Sequence, residues 1–363
     1  MSQRALPFGP EALEPFVEDL FDFQQQEAAR LLWSILETQS PRKSTWSQVW
    51  SASTKEESNY RAIDRVLERL DTRQALLRLF DPTVPFVLVD PTEVPRRQAQ
   101  HTPYVGRLSD GKTLGFWAMI FAQPFRGRAV PFHVGVYSEA TLNVEMHGRN
   151  RTWRDLVWDI KNVIGDVPCV FDREFSAQSW FETMQQAGLK FVVRLKTGNK
   201  VRLVDEDGQP IPLLLQQGEV KTFERVCYRN EVELNLAGMW LPGYKEPMWV
   251  VGNIAPKQLL ATYRERMKIE QTFKDNKNLL RLEDVMSKKL VHLEQTLRLV
   301  LLAYSVGLLI GEQARDEVYA LDDASPGVLP SDGNDDVQQK KGGTRGGVSG
   351  RSTRASLFSS KNG

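Results

Sequence analysis

Between Thr83 and Thr197 the chain is a succession of short apolar runs cut by turn residues, and their order limits the available folds more than any other feature. "PFVLVD" ends at Asp90, and "TLGFWAMIF" and "VPFHVGVY" follow, separated by the turn-like "QPFRGRA". Runs of this length bounded by Gly, Pro and Asp read as buried strands, and the adjacent pair as a hairpin. In "NRTWRDLVWDIKNVIG", Trp153, Val157, Ile160, Val163 and Ile164 recur at helical spacing. "VPCVFD" is another short strand, ending at Asp172. "SAQSWFETMQQAG" opens on a serine cap and closes on a glycine, as a helix does. "KFVVRLKT" is again a strand. Strand, hairpin, helix, strand, helix, strand describes a mixed α/β layered domain, not an all-α or all-β one.

The flanks differ in texture. Residues 1–78 read as helical. In "NYRAIDRVLERLD", Ile63, Val66, Leu67 and Leu70 form an apolar stripe, with Arg61, Arg65 and Arg69 on the opposite face. That arginine row could follow a DNA backbone, but Asp64 and Glu68 beside it equally suit a solvated, self-paired face. Residues 200–253 look like strands joined by Gly, Pro and Asp turns, a β-rich insertion whose last strand returns to the main sheet. Helix then resumes near Lys257. Residues 313–363 carry acids first and bases later in a Gly/Ser background with little to bury, which predicts a disordered polar tail.

Lys plus Arg total 47 against 46 for Asp plus Glu, so any affinity for nucleic acid has to come from local patches. Two cysteines, Cys169 and Cys227, make no disulfide framework, and the four histidines show no metal spacing. A reduced intracellular compartment suits that usage. No apolar leader stands at the N-terminus. The longest apolar run, Leu299 to Ile310, is short for a bilayer and reads as a buried core helix, so no membrane partner is expected.

Asp90 and Asp172 each follow a strand, at the sheet edge where ligands collect in open α/β folds. Each alone could be an ordinary turn or cap residue. Glu270 lies further on in "YRERMKIEQTFKDNK". If that stretch is one helix, Tyr263, Arg266, Glu270 and Lys277 fall within roughly 60° of one another on its wall. The stripe could be a salt-bridge ladder built on an Arg266–Glu270 pair, or a site for phosphate and metal. Three carboxylates without Cys or His favour a hard ion, Mg²⁺ first and Mn²⁺ next.

Tyr263, Arg266, Glu270 and Lys277 together resemble the Y-x2-R-x3-E-x6-K signature of IS4-type insertion-sequence transposases, which are DDE enzymes with an RNase H-like catalytic fold. "VLVDPTEV" and "VFDREF" resemble the two aspartate segments of that family, "FVVRLK" the following strand, and the β-rich stretch its usual insertion. The resemblance covers roughly residues 55–312. It implies an RNase H-like catalytic domain over 79–312 with an insertion at about 200–253, behind a helical DNA-binding region at 1–78. It further implies that Asp90, Asp172 and Glu270 hold metal, as a pair of ions, for cleavage at transposon ends and transfer of the 3′ hydroxyls to target DNA. Tyr263, Arg266 and Lys277 would then hold phosphates. Double-stranded DNA, a homodimer on paired ends and a cytoplasmic, bacterial nucleoid-associated location are expected on the same ground. Met267 departs from relatives that carry tryptophan there, and the tail after Glu312 is foreign to the family pattern.

Other residues are placed by pattern alone. Period-2 alternation turns Lys190, Arg194 and Lys196 to one face of their strand, which could grip a phosphodiester backbone or simply be half-exposed. Arg173, beside Asp172, is a candidate phosphate contact. Trp180 reads as core, with base stacking as the rival. Two rival functions remain open at this stage: a metal-dependent nuclease that cuts without joining, and a non-catalytic DNA-binding repressor or inactive copy.

Overall fold

A computed structural model describes residues 9–144, 148–198, 201–229, 231–266, 280–285, 287 and 289–324. Met1–Val306 form one unit, and the chain from Gly307 a second.

The middle region is built on β1 (Val87–Pro95), β2 (Gly106–Arg107), β3 (Leu114–Phe125), β4 (Arg128–Tyr137), β5 (Cys169–Phe171) and β6 (Phe191–Arg194). The β3–β4 hairpin is the expected one. Arg126 and Gly127 both take positive φ, 42° and 78°, which is the backbone of a two-residue type I′ turn. β1 pairs antiparallel with β3 on one side and parallel with β5 on the other, and β5 pairs parallel with β6. The order β4-β3-β1-β5-β6, antiparallel then parallel, is an RNase H-like mixed sheet.

The parallel half requires crossovers, and three helices supply them. α6 (Glu139–Val144) and α7 (Arg149–Ile164) lead from β4 to β5, and α8 (Gln178–Gln186) leads from β5 to β6. Trp153, Val157, Ile160 and Ile164 bury the predicted stripe of α7, whereas Val163 is 37% exposed. α8 ends as its sequence suggests, with Gly188 at φ 67° beyond the C-cap. Its start differs: the N-cap is Ala177 without a side-chain bond, because the Ser176 hydroxyl accepts from the Lys196 N–H at 3.1 Å. Trp180 is core. It is 2% exposed and sits among Trp153, Phe171 and Phe175, with ring centroids 4.1–6.1 Å apart.

Residues 200–253 do not form a separate body. After β7 (Leu203–Val204), the strands β8 (Val220–Tyr228), β9 (Val232–Met239) and β10 (Met248–Gly252) continue the same sheet, in the order β6-β10-β9-β8-β7, giving ten strands. β10 does return to the main sheet, antiparallel to β6. Asn253 seals that seam: its side chain accepts from the Phe191 N–H at 2.8 Å and donates to the Leu189 carbonyl at 2.7 Å. Among the described residues from 201 to 215, only Leu203–Val204 is strand.

The N-terminal region is helical, as its periodicity indicates: α1 (Glu14–Leu20), α2 (Gln25–Thr38), α3 (Lys43–Trp50), α4 (Glu56–Arg69) and α5 (Thr72–Leu77). Ile63, Val66, Leu67 and Leu70 are all buried, and Arg61, Arg65 and Arg69 are exposed. Asp64 pairs with Lys43 of α3. Buried Gln123 of β3 ties this region to the sheet, donating to the Leu79 carbonyl at 2.9 Å and accepting from the Asp81 N–H at 2.8 Å.

The last helix, α10 (Leu290–Ala324), runs well past Glu312, where a disordered tail is expected; residues 325–363 lie outside the described ones. Leu290–Tyr319 is long and apolar enough to cross a membrane, but 72% of its most apolar window is buried in protein, as in a core helix. Ser305 bonds the Pro131 carbonyl of β4, and Gln295 the Leu67 carbonyl of α4. From Gly307 onward the helix is largely exposed, with an Arg315–Glu312 ion pair at 3.0 Å.

Gly252, paired with Val192 across the β10–β6 seam, admits no side chain, since an added Cβ would stand 2.1 Å from the Phe191 carbonyl oxygen. Gly252→Ala is expected to cost about 1–3 kcal/mol, read as a lower urea midpoint at unchanged slope.

Candidate active site

Strand register brings the two aspartates together. In the parallel β1–β5 ladder the last partners are Val89 and Phe171, and the next residue along the chain is an aspartate in both cases. Asp90 is not at a strand end, as the sequence suggests. β1 continues to Pro95 because it goes on pairing with β3 after β5 has stopped. Asp172 does leave its strand. Its carboxylate caps the following 3₁₀ turn, accepting from the Arg173 N–H at 2.6 Å, so the ordinary capping role is also real.

Arg266 joins them. Its Nη2 lies 2.6 Å from Asp90 Oδ1 and 3.5 Å from Asp172 Oδ2. One nitrogen thus faces both carboxylates at a site where Arg266 is only 10% exposed. Burial alone would lower its pKa, but the charges of Asp90 and Asp172, with Tyr263, outweigh this and raise it, so the guanidinium stays charged.

Tyr263 approaches from the same side, its hydroxyl 3.4 Å from Asp172 Oδ1. It belongs to α9 (Pro256–Arg264), which starts on the helix-favouring Pro256 just after β10. The helix closes at Glu265, and Arg266 follows in a turn, its N–H on the Tyr263 carbonyl at 3.0 Å. Glu270 and Lys277, the other half of the predicted stripe, lie outside the described residues. Among the described residues no group of three or more His, Cys, Asp or Glu is placed to hold a metal.

The remaining predicted contacts divide. Arg194, at the end of β6, meets Tyr263 and also pairs with Glu246 at 3.5 Å. It helps line a cavity of about 340 Å³ with Tyr263, Arg266 and the insertion residues Met239, Tyr244 and Met248. Sequence reasoning missed those three, because their place depends on the insertion joining the sheet. Arg173 and Lys196 are exposed close by in sequence to Asp172 and the end of β6. Lys190 does not join Arg194 and Lys196. It stands at the start of β6 and pairs with Asp166 at 3.5 Å, and Val192 between them is fully buried.

Residues 133–306 match the family described as "Transposase DDE domain". The matched span includes Asp172, Tyr263 and Arg266 but begins after Asp90, which β1 supplies from outside it. Among solved structures, the chain is similar to a piggyBac transposase seen by cryo-electron microscopy in a synaptic complex with hairpin DNA. The identity is 9% and the TM-score 0.46, over 83% of this chain and 67% of that one. No curated protein matches the sequence.

Two measurements probe this site. Desolvation pushes the Tyr263 pKa up to about 12, against the weaker pull of Arg266. A raised phenol pKa contributes stability below pH 10 that is lost as pH rises towards 12. The ultraviolet difference titration of wild type minus Tyr263→Phe is therefore expected to show one phenol ionising near 12, not near 10. Arg266→Ala leaves Asp90 and Asp172 facing each other without their cation and is expected to cost about 3 kcal/mol in urea unfolding at neutral pH.

Proposed function

We propose that the chain is a DDE transposase of the IS4 type, which cleaves DNA at transposon ends and joins the 3′ hydroxyl ends to target DNA by metal-dependent transesterification. The observation that carries this reading is the convergence of Asp90 and Asp172 on one Arg266 nitrogen, next to Tyr263.

The residues suit a hard divalent ion. Two carboxylates already share one cationic group, and neither cysteine nor histidine is part of the cluster. Asp90 and Asp172, with Glu270, would hold Mg²⁺, or Mn²⁺ in its place, as two ions. Bound divalent ions activate an attacking oxygen and stabilise the leaving oxygen of a phosphodiester. The side chains around them do the binding. Arg266, always charged, offers a planar fork that matches phosphate oxygens. Tyr263 remains a neutral donor at physiological pH because its pKa is about 12, so it holds a phosphate oxygen without adding charge. Arg194, Lys277, Arg173 and Lys196 add positive charge along the path of the backbone.

Double-stranded DNA is the substrate in this reading, both as transposon ends and as target. The enzyme works as a homodimer on paired ends, in the cytoplasm at the nucleoid. The exposed arginine row of α4 makes the helical N-terminal region a contributor to DNA binding.

The test is strand transfer. Purified protein is mixed with a labelled duplex carrying the element's terminal sequence, target plasmid and Mg²⁺, beside Glu270→Gln and Asp172→Asn. Joined product with wild type and with neither variant is the expected result. Cutting without joining would replace the reading by a nuclease. Retarded DNA with no product would replace it by a non-catalytic binder.

A further inference from the structure

Beside the helical N-terminal region lies a broad cleft of about 830 Å³ that the carboxylate cluster does not explain. It is walled by the starts of α3 and α10, by Tyr60 of α4 and by the loop that follows β1. Among the described residues, Arg42, Lys43, Arg96, Arg97 and Lys289 line it, against only Glu283 and Asp284. The chain as a whole carries 47 bases against 46 acids, so this is a local concentration of positive charge in an otherwise balanced protein.

Arg42, Lys43 and Arg96 are held in place by contacts on the cleft wall. Arg96 is buried, and its guanidinium donates to the Val285 carbonyl. Lys43 is paired with Asp64 and lies 5.1 Å from the Tyr60 ring centroid, which fixes the direction of its ammonium. Of the two acids, Asp284 is engaged by Arg42 at 3.4 Å and by Arg281 at 2.7 Å. Arg97 and Lys289 are exposed at the rim. The placement also runs against helix stability. Lys43 opens α3, and Lys289 immediately precedes α10, at helix ends where the dipole favours acids. Bases at those two positions cost a little stability and complement an anion from outside.

Its distance from the reacting centre suits one kind of anion. Pro95, on the cleft wall, is five residues along β1 from Asp90, which is roughly 17 Å of strand. Along one DNA strand phosphates advance by about 3.4 Å, so the cleft stands about five nucleotides from the scissile position. We infer that this cleft is a second DNA-backbone site, built from Arg42, Lys43, Arg97 and Lys289, which grips the phosphates of the same duplex about half a helical turn from the bond that reacts. The contact is to phosphate alone. It adds affinity and sets the angle of the duplex without reading its sequence.

The inference rests on the reading of the chain as a DNA-joining enzyme, and the experiment separates the two. Full-length wild type, Arg97→Ala/Lys289→Ala, and the charge-matched Lys161→Ala/Lys190→Ala, whose lysines lie away from the cleft, are titrated with a labelled mixed-sequence duplex. Anisotropy is followed from about 50 to about 200 mM salt. Thermal unfolding of each variant checks that it folds. The expected result is weaker binding by the cleft variant, with a log-log salt slope shallower by about 0.9 for each cation removed, while the control keeps the wild-type slope. Tight wild-type binding with the same slope in both variants would overturn the cleft and leave the joining reading standing. Binding of single-stranded RNA in preference to duplex, lost in the cleft variant, would overturn the DNA assignment of this surface. No binding of duplex by wild type would overturn the joining reading and the inference with it.

Discussion

The parallel pairing of three residues in β1 with three in β5 governs much else in this protein. Because Val89 is opposite Phe171, the residues that follow are opposite as well, and both are aspartates. Two carboxylates side by side repel one another, and that repulsion is tolerable only with a cation between them. Arg266 is that cation, brought from the far side of the insertion by β10 and α9. Register, charge and chain path are therefore one problem with one solution. A slip of the β1–β5 ladder by a single residue would turn one aspartate to the opposite face of the sheet and leave the arginine facing one carboxylate of the two.

The insertion solves the geometric part. A free-standing domain would leave the start of α9 to a flexible linker. Here β10 is hydrogen-bonded to β6, with the seam closed by Asn253, so α9 leaves from a fixed point. The aromatic cluster of Trp153, Phe171, Phe175 and Trp180 does the same for Asp172, packing both the strand before it and the turn after it. Rigid support on both sides lets a capping aspartate also face Arg266 and Tyr263.

Much of this was legible in the residues, and where it was not, the reason lies in contacts that local pattern does not encode. The Arg126-Gly127 turn and the buried stripes of α4 and α7 follow from periodicity and turn chemistry, which act within a few residues. Asp90 was misplaced at a strand end because β1 is held past that point by β3, a partner the sequence of β1 does not name. Ser176 reads as a cap, but the Lys196 N–H from another segment claims its hydroxyl. Period-2 alternation put Lys190 with Arg194, although β6 is buried on both faces and the lysine belongs to the other end of the strand. The stretch after Glu312 lacks core residues and is nonetheless helical to Ala324, since a helix already running costs little to extend. For the site, Asp90, Asp172, Tyr263 and Arg266 were all marked by the family-like motifs. That one guanidinium would span both aspartates was not, because it depends on where α9 ends.

The separation of these groups along the chain has a consequence in time. The Tyr263–Asp172 contact closes 91 residues, and the Arg266–Asp90 contact closes 176. Contacts that distant form late and only when the intervening sheet is in place. During synthesis the two aspartates emerge first and remain without their arginine until the whole insertion has been made. The protein therefore has no partial version of its site: a nascent or truncated chain that stops short of Arg266 can hold the strands but not the cluster.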